Sequence, residues 1–493
     1  MPHAAPPADR SRRLALAVLC AGLLMIILDG SIVTVALPAI QRDLRLSPAG
    51  LTWIVNVYLI AFGGLLLLAG RVGDLAGRKR VFIAGLALFT AASLLCALST
   101  GQAMLIAARF VQGIGGALAS AVSLGMIITL FPEPRERAKA IGAFSFVGAA
   151  GASIGQVLGG VLTEALSWHW IFFINLPIGV TALALAARVL APDRGAGSGA
   201  GAGADVPGAI LVTAGLMLGV YTIVETNRYG WGSAHTLGFA AVAAVLLAAF
   251  IARQQRAASP LLPLRMFRSR NVSGTNLIQV LMVSALFGFQ ILIAMYMQNV
   301  LGYGAAGTGL AMLPAAVMIA IVSLGLSARL IARIGERRAL LAGLALLVAA
   351  LGLLTRLPVH AGYTVHLLPT MLLVGGFGLA ISALTALGMS DAGPADAGVV
   401  SGLFNTTQQV GGALGVAVLS TLATARTETL RAGGRSAGSA LTGGYDLAFG
   451  IGAGVLAAAF ILAIAMLRPP KSGARPEPAA QEAATRTQAR TAA

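Results

Sequence analysis

Fourteen stretches of roughly 20 residues, almost wholly apolar, follow one another along this chain. About 20 such residues are what a helix needs to cross a bilayer. The stretches fall near 14–38, 51–70, 81–99, 103–130, 139–163, 170–189, 207–226, 236–252, 272–297, 308–328, 339–357, 366–389, 398–422 and 446–467. Their length favours helices, because barrel strands alternate in polarity and are about half as long. A soluble fold is excluded by the same count: only 10% of the residues are charged, against roughly 25% in soluble domains. The expected fold class is therefore all-α and integral to the membrane, with 14 transmembrane helices.

The net charge of +17 invites a nucleic-acid reading, and the placement of the charges removes it. With the N-terminus in the cytoplasm and sides alternating, 26 of the 34 Lys and Arg residues fall in cytoplasmic segments and 7 in outer ones. This is the positive-inside bias of an inner-membrane protein, and it predicts that both termini are cytoplasmic. Arg10, Arg12 and Arg13 before the first apolar run look like a signal peptide, but the run is too long, and an uncleaved first helix is expected. Trp53, Trp168, Trp170 and Trp231 fall near outer ends of spans, where interface anchoring is the expected role. Cys20 and Cys96 sit within apolar runs and suggest neither a disulfide nor a metal site.

The loop from Gly70 to Arg80 follows the second span. The loop from Ala328 to Arg338 follows the second of the last six, and both join a small residue and Arg to Gly and a basic cluster. This repeat implies a 6 + 2 + 6 plan with two related halves, a transporter trait. The expected organisation is a cytoplasmic N-tail (1–13), a six-helix bundle (14–190) and a Gly/Ala-rich linker (191–206). Two extra helices (207–252), a basic loop (253–271), a second six-helix bundle (272–467) and a disordered tail (468–493) follow.

Ionisable groups deep in a bilayer are costly and usually functional. Two stand out: Asp29 in span 1 and Arg109, the last of the 34 basic residues, in span 4. Each lies about nine residues from the outer end of its span, hence about 13 Å deep at 1.5 Å per residue. Equal depth predicts a pair or a shared cavity. Desolvation favours the neutral acid and the arginine favours the carboxylate, so the pair can couple protonation to conformation. A static ion pair is the plainer alternative. Glu225 and Asp446 lie near span ends and read as interfacial.

In span 5, Gly151, Gly155, Gln156, Gly159 and Gly160 form a stretch whose glycines make one smooth face for close helix approach. It matches G-x-S-x-G, but mid-helix, where a nucleophile elbow cannot form. No phosphate loop and no H-E-x-x-H motif occur, and the five histidines lie in tails or at span ends, so neither an ATP-driven pump nor a metalloenzyme is indicated.

In combination these motifs resemble the 14-span drug:proton antiporter branch of the major facilitator superfamily. The run Leu28 to Pro38 is similar to L-D-x-T-I-V-N-V-A-L-P, with Thr34 for Asn, and Trp53 with Tyr58 fits the start of span 2. Gly70, Asp74, Gly77 and Arg78 fit the G-x-L-x-D-R-x-G-R-K loop, with Leu75 for Arg; Arg109, Gln112 and Gly113 fit R-x-x-Q-G. The span-5 glycines fit G-x-x-x-G-P-x-x-G-G, with Gln156 for Pro. Trp168 to Gly179, Pro260 to Arg268, Tyr296 to Gly302 and Ser401 to Gly415 also look like this branch, with Gln408 for a common Arg.

The resemblance implies a multidrug efflux antiporter of the inner membrane, not an enzyme, with no cofactor and no metal. Its partners would be protons, a small-molecule substrate and the bilayer, as a monomer and without nucleic acid. Asp29 and Arg109 would couple protons, Asp74 and Arg78 would hold a cytoplasmic gate, and the second-half gate would differ because Ala332 stands where Asp would. The expected cavity lies between spans 1, 2, 4, 5 and 9, 10, 12, 13, with Gln279, Gln290, Met295, Gln298 and Asn405 as candidate lining residues. Alternatives at this stage are a dedicated exporter of one metabolite or antibiotic, an uptake symporter, or an integral-membrane enzyme.

Overall fold

The computed structural model describes residues 9–190, 205–257, 260–262, 264–390 and 397–467. The expected N-tail (1–13), linker (191–206) and tail (468–493) lie wholly or mostly outside the described residues, and the helix of span 7 already begins at Val206. Every regular element among the described residues is helical, and 14 helices are long and apolar enough to cross a membrane.

Spans 1–6 are Ser11–Asp43, Pro48–Ala76, Arg78–Ala97, Gln102–Leu130, Lys139–Ala165 and Trp170–Val189. Spans 7 and 8 are Val206–Thr226 and Ala234–Arg256. Spans 9–14 are Arg270–Asn299, Ala305–Ile334, Glu336–Arg356, Tyr363–Met389, Gly402–Ala432 and Ala437–Met466. Most are longer than the apolar run that announced them, because the helix continues through polar residues at its ends. Span 1 ends five residues beyond Pro38. Two spans contain a wider π turn, Val322–Leu326 in span 10 and Tyr363–Leu367 in span 12.

The two six-helix sets pack by one plan. Spans 1/5, 1/6, 2/4, 3/4 and 3/6 are neighbours in the first half, and 9/13, 9/14, 10/12, 11/12 and 11/14 in the second. The halves meet where span 2 packs on span 13, span 5 on span 10, and span 1 on span 9. Lipid tails are as apolar as Leu, so association rests on close packing, and small residues mark the crossings. A Cβ on Gly115 would lie 2.5 Å from the backbone of Phe89 between spans 4 and 3, and one on Gly343 2.7 Å from the Gly376 carbonyl between spans 11 and 12.

Spans 7 and 8 form a hairpin, and span 7 lies against both span 2 and span 13, flanking one seam between the halves. Adjacent glycines of span 2 make room there: Gly63 receives Gln409 of span 13, and Gly64 receives Thr213 of span 7. Asp205 staples the foot of the hairpin. It accepts from the Gly208 N–H at 3.0 Å, from Arg253 at 2.5 Å and from Gln254 at 2.7 Å. Gln254 in turn accepts from the Leu262 N–H at 3.0 Å.

Candidate functional site

The turns from span 2 to 3 and from span 10 to 11 lie at one end of the bundle, called here the basic end; the other is the far end. Both turns pass through a glycine in a conformation that other residues adopt only with strain, Gly77 at φ 98° and Gly335 at φ 82°. Two residues beyond each glycine a cation closes the end of the sixth span of its half. Lys79 donates to the carbonyls of Ala187 and Leu190, and Arg337 to that of Ile464 at 2.6 Å. Lone carbonyls at a helix C-terminus attract such cations. This symmetry extends the repeat seen in the loops.

The remaining loop chemistry belongs to the first half alone. Arg78 pairs with Asp74 at 3.0 Å and reaches across to the Gly125 carbonyl of span 4 at 3.1 Å. At the corresponding places the second half has Ala332 and Glu336. Gly70 is open, with no atom within 4 Å of a Cβ built on it.

Asp29 and Arg109 meet in the centre of the first half. The guanidinium donates to the carboxylate at 2.5 Å, and the side chains are 0% and 2% exposed. Gln112 donates to the other carboxylate oxygen at 2.8 Å and accepts from Arg109 at 2.7 Å. Asn175 of span 6 donates to the same oxygen at 3.1 Å, and Ser93 of span 3 accepts from Gln112 at 2.8 Å. Cys96 donates weakly to Gln112 at 3.7 Å. From span 2, the Ile54 carbonyl accepts from Arg109 at 3.3 Å, and the Tyr58 ring lies 4.1 Å beneath the guanidinium. Gly113, next in span 4, presses on the Tyr58 backbone. Spans 1, 2, 3, 4 and 6 thus all contribute, and this carboxylate accepts charge-assisted bonds on both oxygens.

Ser93 does not stand out in the sequence, and Asn175 enters only within the Trp168 to Gly179 motif, without a role. Neutral polar residues carry no cost large enough to flag them one by one. The depth arithmetic that paired Asp29 with Arg109, applied to every polar residue of the neighbouring spans, is the signal that would have found them.

The glycine face of span 5 rests on span 1. A Cβ on Gly155 would lie 2.9 Å from the carbonyl of Leu28, the neighbour of Asp29, and one on Gly159 2.7 Å from the carbonyl of Ile32. Gly151 meets only side chains, those of Leu24 and Ile27. Gly160 and Gln156 turn to the other half: Gly160 faces the backbone of Ala305 and Ala306, and Gln156 meets Gly309 of span 10.

The candidate lining residues separate. Gln279 is fully buried and donates to the Phe404 carbonyl at 3.0 Å, so it ties span 9 to span 13 and lines no open cavity here. Gln298 donates to the Val35 carbonyl at 2.9 Å and bridges the halves at the far end. Met295 is half-buried at the seam and packs with core residues of both halves. Gln290 is half-buried, and Asn405 is exposed.

Two tryptophans depart from the anchor role. Trp168 is buried and donates to Asp43 at 2.8 Å, tying the far end of span 1 to the turn before span 6. Trp53 is half-buried against Tyr221 of span 7. Trp170 and Trp231 are exposed, as an interface anchor would be. Asp446 is half-buried, accepts from the Leu357 N–H at 3.1 Å and borders a crevice of about 610 Å³ that Arg426 shares.

Two pseudo-symmetric six-helix halves around a central seam, with a charged network buried in one of them, are the architecture of a membrane transporter. The profile of the Major Facilitator Superfamily matches residues 19–416, and the chain belongs to that family. It is 40% identical over 92% of its length to 91% of the cephamycin export protein of Amycolatopsis lactamdurans. It is 37% identical over 92% of its length to 91% of the puromycin resistance protein of Streptomyces alboniger. Its fold is similar to that of a bacterial homologue of the human lysosomal transporter Spinster, with a TM-score of 0.67 at 16% identity over 95% of this chain and 100% of the other.

Proposed function

We propose that this protein exports small apolar, often cationic compounds across the inner membrane in exchange for protons, with its basic end and both termini in the cytoplasm. The observation that carries the proton-coupled reading is the buried Asp29–Arg109 pair. In the ionised form both carboxylate oxygens of Asp29 accept hydrogen bonds, from Arg109, Gln112 and Asn175. Protonating Asp29 in place strands the Arg109 cation in a dry site, at a cost of several kcal/mol. A change of charge at Asp29 therefore bears directly on the packing of spans 1, 4 and 6.

The path from this site to the seam is short. Asp29 moves with Leu28, Leu28 lies under Gly155, and the same helix carries Gln156 and Gly160 against span 10. A shift of span 1 is passed to span 5 as a sliding of smooth faces, and so to the contact between halves. Each proton moving inward adds about 2.3 kcal/mol per 100 mV to drive export.

Export of a fluorescent cationic dye from energised cells, with and without a protonophore, tests the coupling. Export should collapse with the gradient; unchanged export without it would overturn the reading. Asp29→Asn should abolish export in a protein that still reaches the membrane.

A second reading is supported by the names of relatives. The cephamycin export protein and the tetracenomycin C resistance and export protein of Streptomyces glaucescens are each named for one natural product. A dedicated exporter would protect a pump-deficient host against one compound in a susceptibility panel, and a polyspecific one against several unrelated compounds.

A further inference from the structure

Span 2 and its counterpart span 10 both begin at the far end, and they solve the problem of a helix start differently. The first N–H groups of any helix lack internal partners. Span 2 supplies its own cap, the Ser47 hydroxyl accepting from the Gly50 N–H at 3.1 Å. Span 10 is preceded at its cap position by Gly304, which has no side chain to offer, and makes no side-chain cap of its own. Its cap comes from the other half: the Glu164 carboxylate, at the end of span 5, accepts from the Ala306 N–H at 2.8 Å. Glu164 makes no ion pair among the described residues, and the space it occupies beside Gly304 is one a Cβ there would invade.

The surroundings make this contact conditional. Gly160, one turn back, lets span 5 sit on the backbone of Ala305 and Ala306. Nearby, Gln298 crosses the same end of the seam to Val35. The far end is closed by a few directional bonds over close backbone contacts.

We infer that Glu164 is the far-end latch of the transport cycle: its carboxylate caps span 10 across the seam while that end is closed and gives up the cap when the halves rock apart. The inference rests on the transport reading above, but its test needs no gradient. Met295→Cys, at the seam, serves as the reporter in a Cys20→Ser background, with buried Cys96 retained and the reporter-free parent as control. A membrane-impermeant maleimide is added to the far face of unenergised vesicles.

Glu164→Ala should raise the labelling rate several-fold. Glu164→Gln keeps an accepting oxygen and should fall between the two. Ala306→Pro removes the donor N–H at a first-turn position that tolerates proline. It should reproduce the Glu164→Ala rate, and the double variant should label no faster than either single one. Labelling of Glu164→Ala at the parent rate would overturn the latch, as would additive effects of the two variants. If Glu164→Ala does not fold, Glu164→Gln and Ala306→Pro decide the question alone: parent-like rates in both sink it. Protonophore-resistant export would instead defeat the antiport reading and leave these rates untouched.

Discussion

Asp29→Asn and Arg109→Gln remove opposite members of one buried pair, and their costs should be unequal. The carboxylate faces donors on every side: Arg109, Gln112 and Asn175 all point N–H groups at it. An Asn there turns its own NH₂ toward one of these donors and leaves the Arg109 cation without a counter-charge at 1% exposure. Gln112 cannot rotate to help, because its carbonyl oxygen already accepts from Arg109. Breaking a buried pair in this way costs about 3–5 kcal/mol. In Arg109→Gln the surviving partner is an acid, which can take up a proton and shed its charge, so the loss should be smaller by about 1–2 kcal/mol. Replacing both should cost less than the sum of the single changes. Cys96 is fully buried beside the network, so its reaction with a thiol-specific fluorophore in detergent, in a Cys20→Ser background, reports unfolding on heating. The apparent melting temperature should rank the parent first, then Arg109→Gln, then Asp29→Asn. A parent-like melting temperature for Asp29→Asn, or Arg109→Gln as the weaker of the two, would refute the reasoning.

Three further outcomes follow from other contacts. Gly159→Val drives a branched side chain into the Ile32 backbone and should cut export more than tenfold, whereas Gly142→Ala in the same helix, with nothing within 4 Å, should leave it intact. Gly335→Ala places a side chain at φ 82° and should lower stability by about 1–3 kcal/mol, read as a fall in melting temperature. Burial works to raise the pKa of Asp205, but hydrogen bonds from Arg253, Gln254 and the Gly208 N–H outweigh it and hold the carboxyl below 3.8. A depressed folded pKa means that the staple is complete above 3.8 and lost as pH falls below it. Hydrogen-exchange protection of the Leu262 amide should therefore hold near neutral pH and drop in acid, and Asp205→Asn should lower it at all pH values.

The fold was legible because a bilayer charges heavily for exposed backbone and for ions. Apolar length alone marks each span, and the depth of Asp29 and Arg109 follows from helix rise. What stayed hidden depends on rotation about the helix axis and on neighbours. Trp168 sits at the depth of an anchor, yet Asp43 of span 1 draws it inward. Gln279 and Gln298 are both amides of span 9, but one is tied to Phe404 within its half and the other to Val35 across the seam. Glu164 reads as an ordinary carboxylate at a span end, because the helix it caps belongs to the other half.

The hairpin of spans 7 and 8 also decides where lipid meets the seam. Span 7 covers the line between spans 2 and 13. Along the pseudo-symmetric line between spans 5 and 10, Ile154, Val161, Leu310 and Val317 remain exposed. A pair of related halves would by itself offer acyl chains two equivalent flanks; the inserted hairpin leaves one. Seen from the bilayer, this molecule has a front and a back: one flank of the seam is covered by a helical hairpin and the other is left to lipid.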